Sequence, residues 1–479
     1  HNNLGNVVKA LGRLDEAVSS FRDAVAHRPD FAEAHNNLGT ALLALNEPAA
    51  AARSLRDALA LSPELIEAHN NLGNALAELG QTDAALARYA EALKLDPDLA
   101  EAHYNMANVL MDAGRAEDAL AAFDRAIACR AEYVDAHINR ANALQALRRL
   151  TDAEAAYERA IELDADSAEA RTNLGLLQLM GGNFEDGWSN YGARFRRRDV
   201  ALRRRAYAPP HWAGEPLQGR TVFVYPEQGF GDTIQFARYL PMLAAQGANV
   251  AFEAPAPLHR LFETGGFTGT LLCEGETPGA FDFHASLLEL PGLFATTIDI
   301  IPPPADLLAP PPELANAWAE RIGKDDGFRV GLAWAGRPTH ANDRNRSLPA
   351  AMLVTLAGMA GVRLYSLQVG RDGEAGDAFG DDIIDLAPEL EDFADTAAAM
   401  QALDLVITVD TSLAHLAGAL GRPVWTLLPF IPDWRWQLDR DDSLWYPSMR
   451  LFRQQRLGDW PGAVGAVAGA LRDAAGARG

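Results

Sequence analysis

Cysteine is almost missing: 479 residues hold two, Cys129 and Cys273, set far apart. That excludes a disulfide framework and a cysteine-built metal site, and it suits a reducing, cytoplasmic setting. No apolar run is long enough to cross a bilayer, although 48% of the chain is hydrophobic. Residue 1 already lies inside a repeated pattern and is not Met, so the chain is expected to be trimmed, with no readable targeting signal. Basic charge is also in deficit. Lys and Arg number 42 against 65 Asp and Glu, a net charge of −23, so no long-range attraction to nucleic acid is expected. Both ends share the acidity: residues 1–193 carry 16 basic and 30 acidic side chains, and residues 206–479 carry 19 and 34. Only residues 194–205 reverse it, with Arg194, Arg196, Arg197, Arg198, Arg203, Arg204 and Arg205 against Asp199. This segment reads as a linker whose guanidiniums are solvated or paired within the molecule, contact with an anionic ligand being the lesser reading.

What is plentiful is a repeat. His-Asn-Asn-Leu-Gly stands at residues 1–5, 35–39 and 69–73, a period of 34, and variants follow at His103-Tyr104-Asn105-Met106, His137-Ile138-Asn139-Arg140 and Arg171-Thr172-Asn173-Leu174-Gly175. One position is Asn in all six copies: Asn3, Asn37, Asn71, Asn105, Asn139 and Asn173. Each unit reads as two amphipathic helices. Small residues recur where helices cross closely (Ala17, Ala51, Ala85, Ala119, Ala153), with bulky knobs between (Phe21, Leu55, Tyr89, Phe123, Tyr157, Tyr191). Pro29, Pro63 and Pro97 end the second helix because proline cannot continue it. The array resembles the tetratricopeptide repeat over five full units and a sixth that degenerates at Gly187-Trp188. Such repeats stack into a superhelix with a concave wall. The Asn row, supported by Asn6, Asn74, Asn108 and Asn142, is expected to line that wall and bind a peptide backbone, since an amide both donates and accepts. The competing reading is that each amide bonds its neighbour's backbone and stiffens the stack. A similar asparagine ladder in the eukaryotic O-GlcNAc transferases implies a protein acceptor.

From about residue 206 strands alternate with helices. Strands are expected at 221–225 and 249–253, then at 329–334, 364–367, 405–409 and 424–428, with a proline cluster at 302–312 as an interdomain linker. Two turns stand at strand carboxyl ends, where α/β sheets place ligands. The first is Gln228-Gly229-Phe230-Gly231-Asp232; the second is Asp410-Thr411-Ser412-Leu413-Ala414-His415, opening a small-residue helix whose N-terminus suits a phosphate. Each has a plain alternative: Asp232 capping its helix, and Asp410-Thr411-Ser412 an ordinary N-cap.

Together the two turns resemble the family of the lipopolysaccharide heptosyltransferases, inverting glycosyltransferases of the GT-B fold. With the repeats and Asp433-Trp434-Arg435-Trp436, the chain looks like bacterial tetratricopeptide proteins with a glycosyltransferase tail, some similar to flagellin glycosyltransferases. The resemblance implies an α-helical superhelix followed by two Rossmann-like domains: residues 1–193 repeats, 194–205 linker, 206–312 acceptor-side domain, 313–479 nucleotide-sugar domain with a closing helix near 461–478 that crosses back to the first domain. It implies Asp232 as general base and Asp410, Thr411, Ser412 and Leu413 at the donor's phosphates. His415 and Arg346 are expected beside them, with Gln228, Gly229, Gly231, His340, Arg344, Gln368 and Trp434 as weaker cleft candidates and Trp436 beside Trp434. No cofactor and no metal are expected: Asp439-Arg440-Asp441 resembles a metal-holding Asp-x-Asp, but in a GT-B enzyme the helix terminus replaces the ion. The expected co-substrate is a nucleotide sugar, and the expected partner a protein acceptor, flagellin among the candidates. The rivals are a scaffold that no longer turns over, and a glycan- or lipid-directed transferase.

Overall fold

The computed structural model describes residues 1–197, 202, 204–323, 327–340 and 342–476. Arg198, Asp199 and Arg203 of the Arg-rich segment, and Arg478 at the end of the expected closing helix, lie outside the described residues. The chain divides into two compact units, His1–Arg171 and Thr172–Gly479. Among the described residues no helix is long and apolar enough to cross a membrane.

The first unit is built of helix pairs, beginning Asn2–Ala10 and Leu14–His27, then Ala32–Ala44 and Pro48–Leu61, and so on to Leu150–Leu163. Within each pair the knob of the second helix enters a gap in the first. A Cβ added at Gly39 would stand 2.5 Å from Leu55 Cγ, and one at Gly73 would stand 2.4 Å from the Tyr89 ring. The glycine therefore lets the backbones close over a fully buried knob, each contributing roughly 1.5–3 kcal/mol. The repeated histidine closes the turn between units: Nε2 of His35, His69 and His103 bonds the carbonyls of Pro29, Pro63 and Pro97 at 2.8 to 2.9 Å.

The second unit holds two parallel sheets. Strands β1 (Thr221–Tyr225), β2 (Asn249–Ala254), β3 (Thr270–Cys273) and β4 (Phe283–Ser286) form one, ordered β3-β2-β1-β4. Strands β5 (Phe328–Ala333), β6 (Val362–Ser366), β7 (Ile383–Asp385), β8 (Leu405–Val409), β9 (Val424–Leu428) and β10 (Met449–Arg453) form the other, ordered β10-β9-β8-β5-β6-β7. The helical stretch after β1 breaks into Phe230–Phe236, a short 3₁₀ turn and Leu240–Ala245, because Pro241 has no N–H to offer the preceding turn.

Two expectations need correction. The helix Trp460–Gly476 does not cross back to the first sheet: Val464, Val467 and Leu471 pack with Val330, Leu332, Leu405 and Ile407 of the six-stranded one. The repeat pattern persists to the helix Phe184–Tyr191, yet Leu179, Met180, Phe184 and Tyr191 are buried in one core with Val222, Val224 and Trp434, so the degenerate sixth repeat is part of the α/β unit. The Arg-rich segment is tied to the same unit. Arg194 forks onto Glu227 at 2.6 and 2.8 Å, Arg205 forks onto Glu253 at 2.8 and 2.9 Å, and Arg204 pairs with Glu289. Burial opposes ionising Glu289, but hydrogen bonds from His211 and Arg204 win and hold it down at about 2.

Candidate functional site

A cleft of about 870 Å³ opens at the carboxyl ends of β1, β5, β6 and β8, within the size range of small-molecule sites. Parallel strands end there with their following loops free to carry polar groups. The turn after β1 supplies Gln228, Gly229, Gly231 and Asp232; the turn after β8 supplies Asp410, Thr411, Ser412, Leu413 and His415. Arg346, His340 and Gln368 complete the set from the loops after β5 and β6. The structure thus brings together twelve of the fourteen residues expected at the donor and base sites.

Asp232 stands at the start of the helix Phe230–Phe236. Its Oδ2 accepts the Gly229 N–H at 3.0 Å, so it does cap its helix, while Oδ1 accepts from Arg435. Burial raises its carboxyl, and the Arg435 charge opposes that rise. Asp410 is 9% exposed, and burial, reinforced by Asp433, pushes it up to about 6 against the pull of the Trp436 indole and of Arg346 and Arg435. The competing N-cap reading at the second turn also holds: Thr411 Oγ1 accepts the Leu413 N–H at 3.3 Å. Ser412 opens the helix Ser412–Ala419 and lines the cleft.

His415 fills a helix contact. Its ring stacks on Trp436 with centroids 5.2 Å apart, and Nδ1 pairs with the Tyr446 hydroxyl at 3.0 Å. Burial holds its pKa well below the ordinary value, so it is neutral. A Cβ on Gly231 would approach its Cδ2 to 2.7 Å, which makes glycine the residue that lets the two helices meet. Gln368 is likewise occupied: Oε1 accepts the N–H groups of Trp334 and Ala335 at 2.9 and 2.8 Å and fixes the end of β5. Gln228 donates to the Tyr191 hydroxyl at 2.9 Å. Arg346 lies across Gly336, whose added Cβ would stand 2.7 Å from Nη2, and its buried Nε has no hydrogen-bond partner. His340 is exposed at the rim, with Nδ1 accepting the Asn342 N–H at 3.1 Å; neighbouring Ala341 lies outside the described residues.

Two expected cleft residues lie elsewhere. Arg344 is exposed and does not line the cleft, because the short helix Asp343–Arg346 turns only one of its two arginines inward. Trp434 is 4% exposed within a ring cluster of Phe184, Trp188, Phe236 and Trp445, centroids 5.2 to 6.4 Å away, so its bulk serves packing; Trp436 is buried against His415. The neighbours Asp433 and Arg435 do line the cleft, and so do Arg337, Phe230 and Phe393. Sequence reasoning gave none of these a role, although the 433–436 motif follows a strand's carboxyl end. Arg440 of the Asp-x-Asp look-alike forks onto Asp442 at 2.6 and 2.8 Å, and no group of three His, Cys, Asp or Glu among the described residues is placed to hold a metal.

In the repeats the amides face one another. Nδ2 of Asn37 donates to Asn2 Oδ1 at 3.1 Å, Asn71 to Asn36 at 3.0 Å, and Asn105 to Asn70 at 3.1 Å. Asn139 donates to the Tyr104 hydroxyl at 3.0 Å and to Asn108 at 2.9 Å. The stiffening contact is therefore real, but it runs from side chain to side chain. Asn3 is exposed, and Asn173 accepts from Arg197 at 3.3 Å.

Tetratricopeptide-repeat models match residues 2–66, 73–114, 100–132 and 138–187, and glycosyltransferase family 9 (heptosyltransferase) matches residues 374–429, a stretch that includes the 410–413 turn and His415. Protein FlbA of Caulobacter vibrioides is 30% identical over 320 residues, 61% of this chain and 53% of that protein, so the chain spans about half its length. Among solved structures, a thermophilic tetratricopeptide protein of Thermus thermophilus is 24% identical, covering 37% of this chain and 97% of that one with a TM-score of 0.34. PilF of Pseudomonas aeruginosa is 22% identical over 42% of this chain and 91% of its own, with a TM-score of 0.38.

Proposed function

We propose that the chain is an inverting, metal-independent glycosyltransferase of GT-B architecture that moves a sugar from a nucleotide donor to Ser or Thr of a protein held by the repeats. One observation carries the reading. A partly buried carboxylate from the four-stranded side, Asp232, lines the same cleft as the 410–413 turn and Arg346 of the six-stranded side.

The chemistry follows from that placement. Asp232 takes the proton of the acceptor hydroxyl as its oxygen attacks the anomeric carbon, and the bond from that carbon to the donor's phosphate oxygen breaks. Attack from the face opposite the leaving group inverts the centre. A base whose carboxyl is raised by burial holds the proton more firmly than an exposed one. Charge growing on the departing phosphate meets the N-terminus of the helix Ser412–Ala419 and the Arg346 guanidinium, positive potential already in place before reaction. The repeats' amide rows favour a polypeptide over a lipid or a glycan as acceptor, and flagellin is one candidate.

The test is Asp232→Asn. A thermal-shift screen with UDP, GDP, ADP, TDP and CMP identifies the nucleotide, since ligands that bind the native state raise its apparent stability. The variant should keep its fold and that shift while transfer falls by orders of magnitude. Transfer near the wild-type rate removes Asp232 as base, and failure of every nucleotide sugar to bind or hydrolyse removes the enzyme reading. Intact mass of coexpressed proteins reads the acceptor class.

A further inference from the structure

We propose that Arg435 is a positioning residue for Asp232: its guanidinium fixes the orientation of the Asp232 carboxylate and supplies the positive charge beside it. This rests on the transferase reading above.

The geometry is that of a side chain held through each of its three nitrogens. Nε donates to Gln235 Oε1 at 2.6 Å, Nη1 to Asp433 Oδ1 at 2.8 Å, and Nη2 to Asp232 Oδ1. The planar fork packs against aromatic faces, its central carbon 4.7 Å from the Trp434 ring and 5.5 Å from that of Phe236. Arg435 is 8% exposed, so little of its side chain is free to move into the cleft. Gln235 is turned to serve it: the amide oxygen accepts from Arg435, while the buried Nε2 has no partner. An amide that leaves its own N–H groups unsatisfied in the interior costs free energy, and the charged donor on its oxygen offsets that cost.

The effect falls on Asp232. One oxygen is anchored by Gly229 N–H and the other by Arg435, so the carboxylate cannot swing about its Cβ–Cγ bond without breaking a contact to one sheet or the other. Asp232 is on the four-stranded side and Arg435 follows β9 on the six-stranded side, so the base is oriented only when the two are together. The charged and titratable groups facing Asp232 are Glu227 on its own turn, Asp433 and Arg435 after β9, His340 after β5, and the phenols of Tyr191 and Tyr446. Of these Arg435 is the one fixed cation. Burial raises the Asp232 carboxyl, and Arg435 opposes the rise. Without it the folded value climbs further, and stability is lost as pH rises through that higher value.

The experiment uses the full chain with Arg435→Gln, Arg435→Lys, and Asp232→Asn alone and combined with Arg435→Gln. Melting temperature is read from pH 5 to 8.5. The deficit of Arg435→Gln against wild type should widen more steeply as pH rises than the deficit of the double variant against Asp232→Asn, since the lost Asp433 contact enters both deficits and Asp232 only the first. Turnover is read with whichever nucleotide sugar the wild type hydrolyses or transfers. In Arg435→Gln the acid limb of the rate profile should move up by about 1–3 pH units. In Arg435→Lys, which keeps the charge but not the fork, the limb should stay near wild type while kcat falls about tenfold or more and donor KM holds. A deficit equally wide at every pH with and without Asp232, or an unmoved limb in Arg435→Gln, overturns the proposal. So does wild-type kcat in Arg435→Lys, which also decides the matter if the glutamine variant does not fold. If no nucleotide sugar is turned over, the transferase reading fails by itself, and the melting arm still decides whether Arg435 sets the ionisation of Asp232.

Discussion

Asp410→Asn should stabilise the α/β unit at neutral pH. Asp410 is held at about 6 in the fold against 3.8 for the free side chain, roughly two units, and each unit corresponds to about 1.4 kcal/mol. A raised folded value means the native state binds the proton more tightly, so this contribution is fully present below pH 3.8 and is lost as pH rises through 6. At pH 7.5 the wild type therefore carries a penalty of about 3 kcal/mol that the neutral amide relieves, less whatever hydrogen bonding the amide disturbs. The assay is thermal unfolding followed by tryptophan fluorescence. All nine Trp lie beyond residue 171, so the signal reports the α/β unit alone. The melting temperature of the variant should exceed wild type by several degrees at pH 7.5, and the two should converge near pH 4. A variant that melts below wild type by the same amount at pH 7.5 and pH 5 would refute the reasoning, because the carboxylate would then be held by contacts and not merely tolerated for function.

Gly231→Ala should lose about 1–3 kcal/mol by driving a methyl into His415, and it should depress turnover more than an alanine at exposed Arg344. Arg194→Met leaves Glu227 buried without its bidentate partner and should cost about 3–5 kcal/mol, read by the same fluorescence melt. Arg346→Ala should shrink the thermal shift given by the nucleoside diphosphate that binds, whereas Arg344→Ala should leave it intact. Asn139→Ala removes two cross-repeat hydrogen bonds and should lower the helical melt at 222 nm by about 1–2 kcal/mol, so a loss of protein glycosylation in Asn variants has to be judged beside their stability.

The repeats were legible because their period imposes itself six times on helix-forming sequence. The strands β1, β2, β5, β6, β8 and β9 were legible as apolar runs near their observed limits. The other four were not, each for a local reason: β3 is four residues among glycines, β4 carries His284 and Ser286, β7 has three residues, and β10 alternates Met449, Leu451 and Arg450 as an edge strand. At the site, Asp232 and the 410–413 turn stood out as polar turns at strand ends, and both line the cleft. Arg435 was missed because its meaning depends on a partner 203 residues away, which no local pattern reveals. Trp434 shows the reverse: an aromatic beside a motif, a weaker candidate for the cleft, is claimed as core by Phe184 and Trp188 of the last repeat helix.

The amide ladder of the first unit has a direction. Asn37, Asn71 and Asn105 each donate backward to the acceptor one repeat earlier, and none of these donors points forward. The second and third repeats thus present an identical socket on one side and an identical plug on the other. A whole 34-residue module spliced in after Asn37 meets the same partners as its neighbours, whereas a module cut out of phase leaves both a donor and an acceptor unmatched. Array length is therefore a quantity that can change in whole steps at these joints without redesigning them.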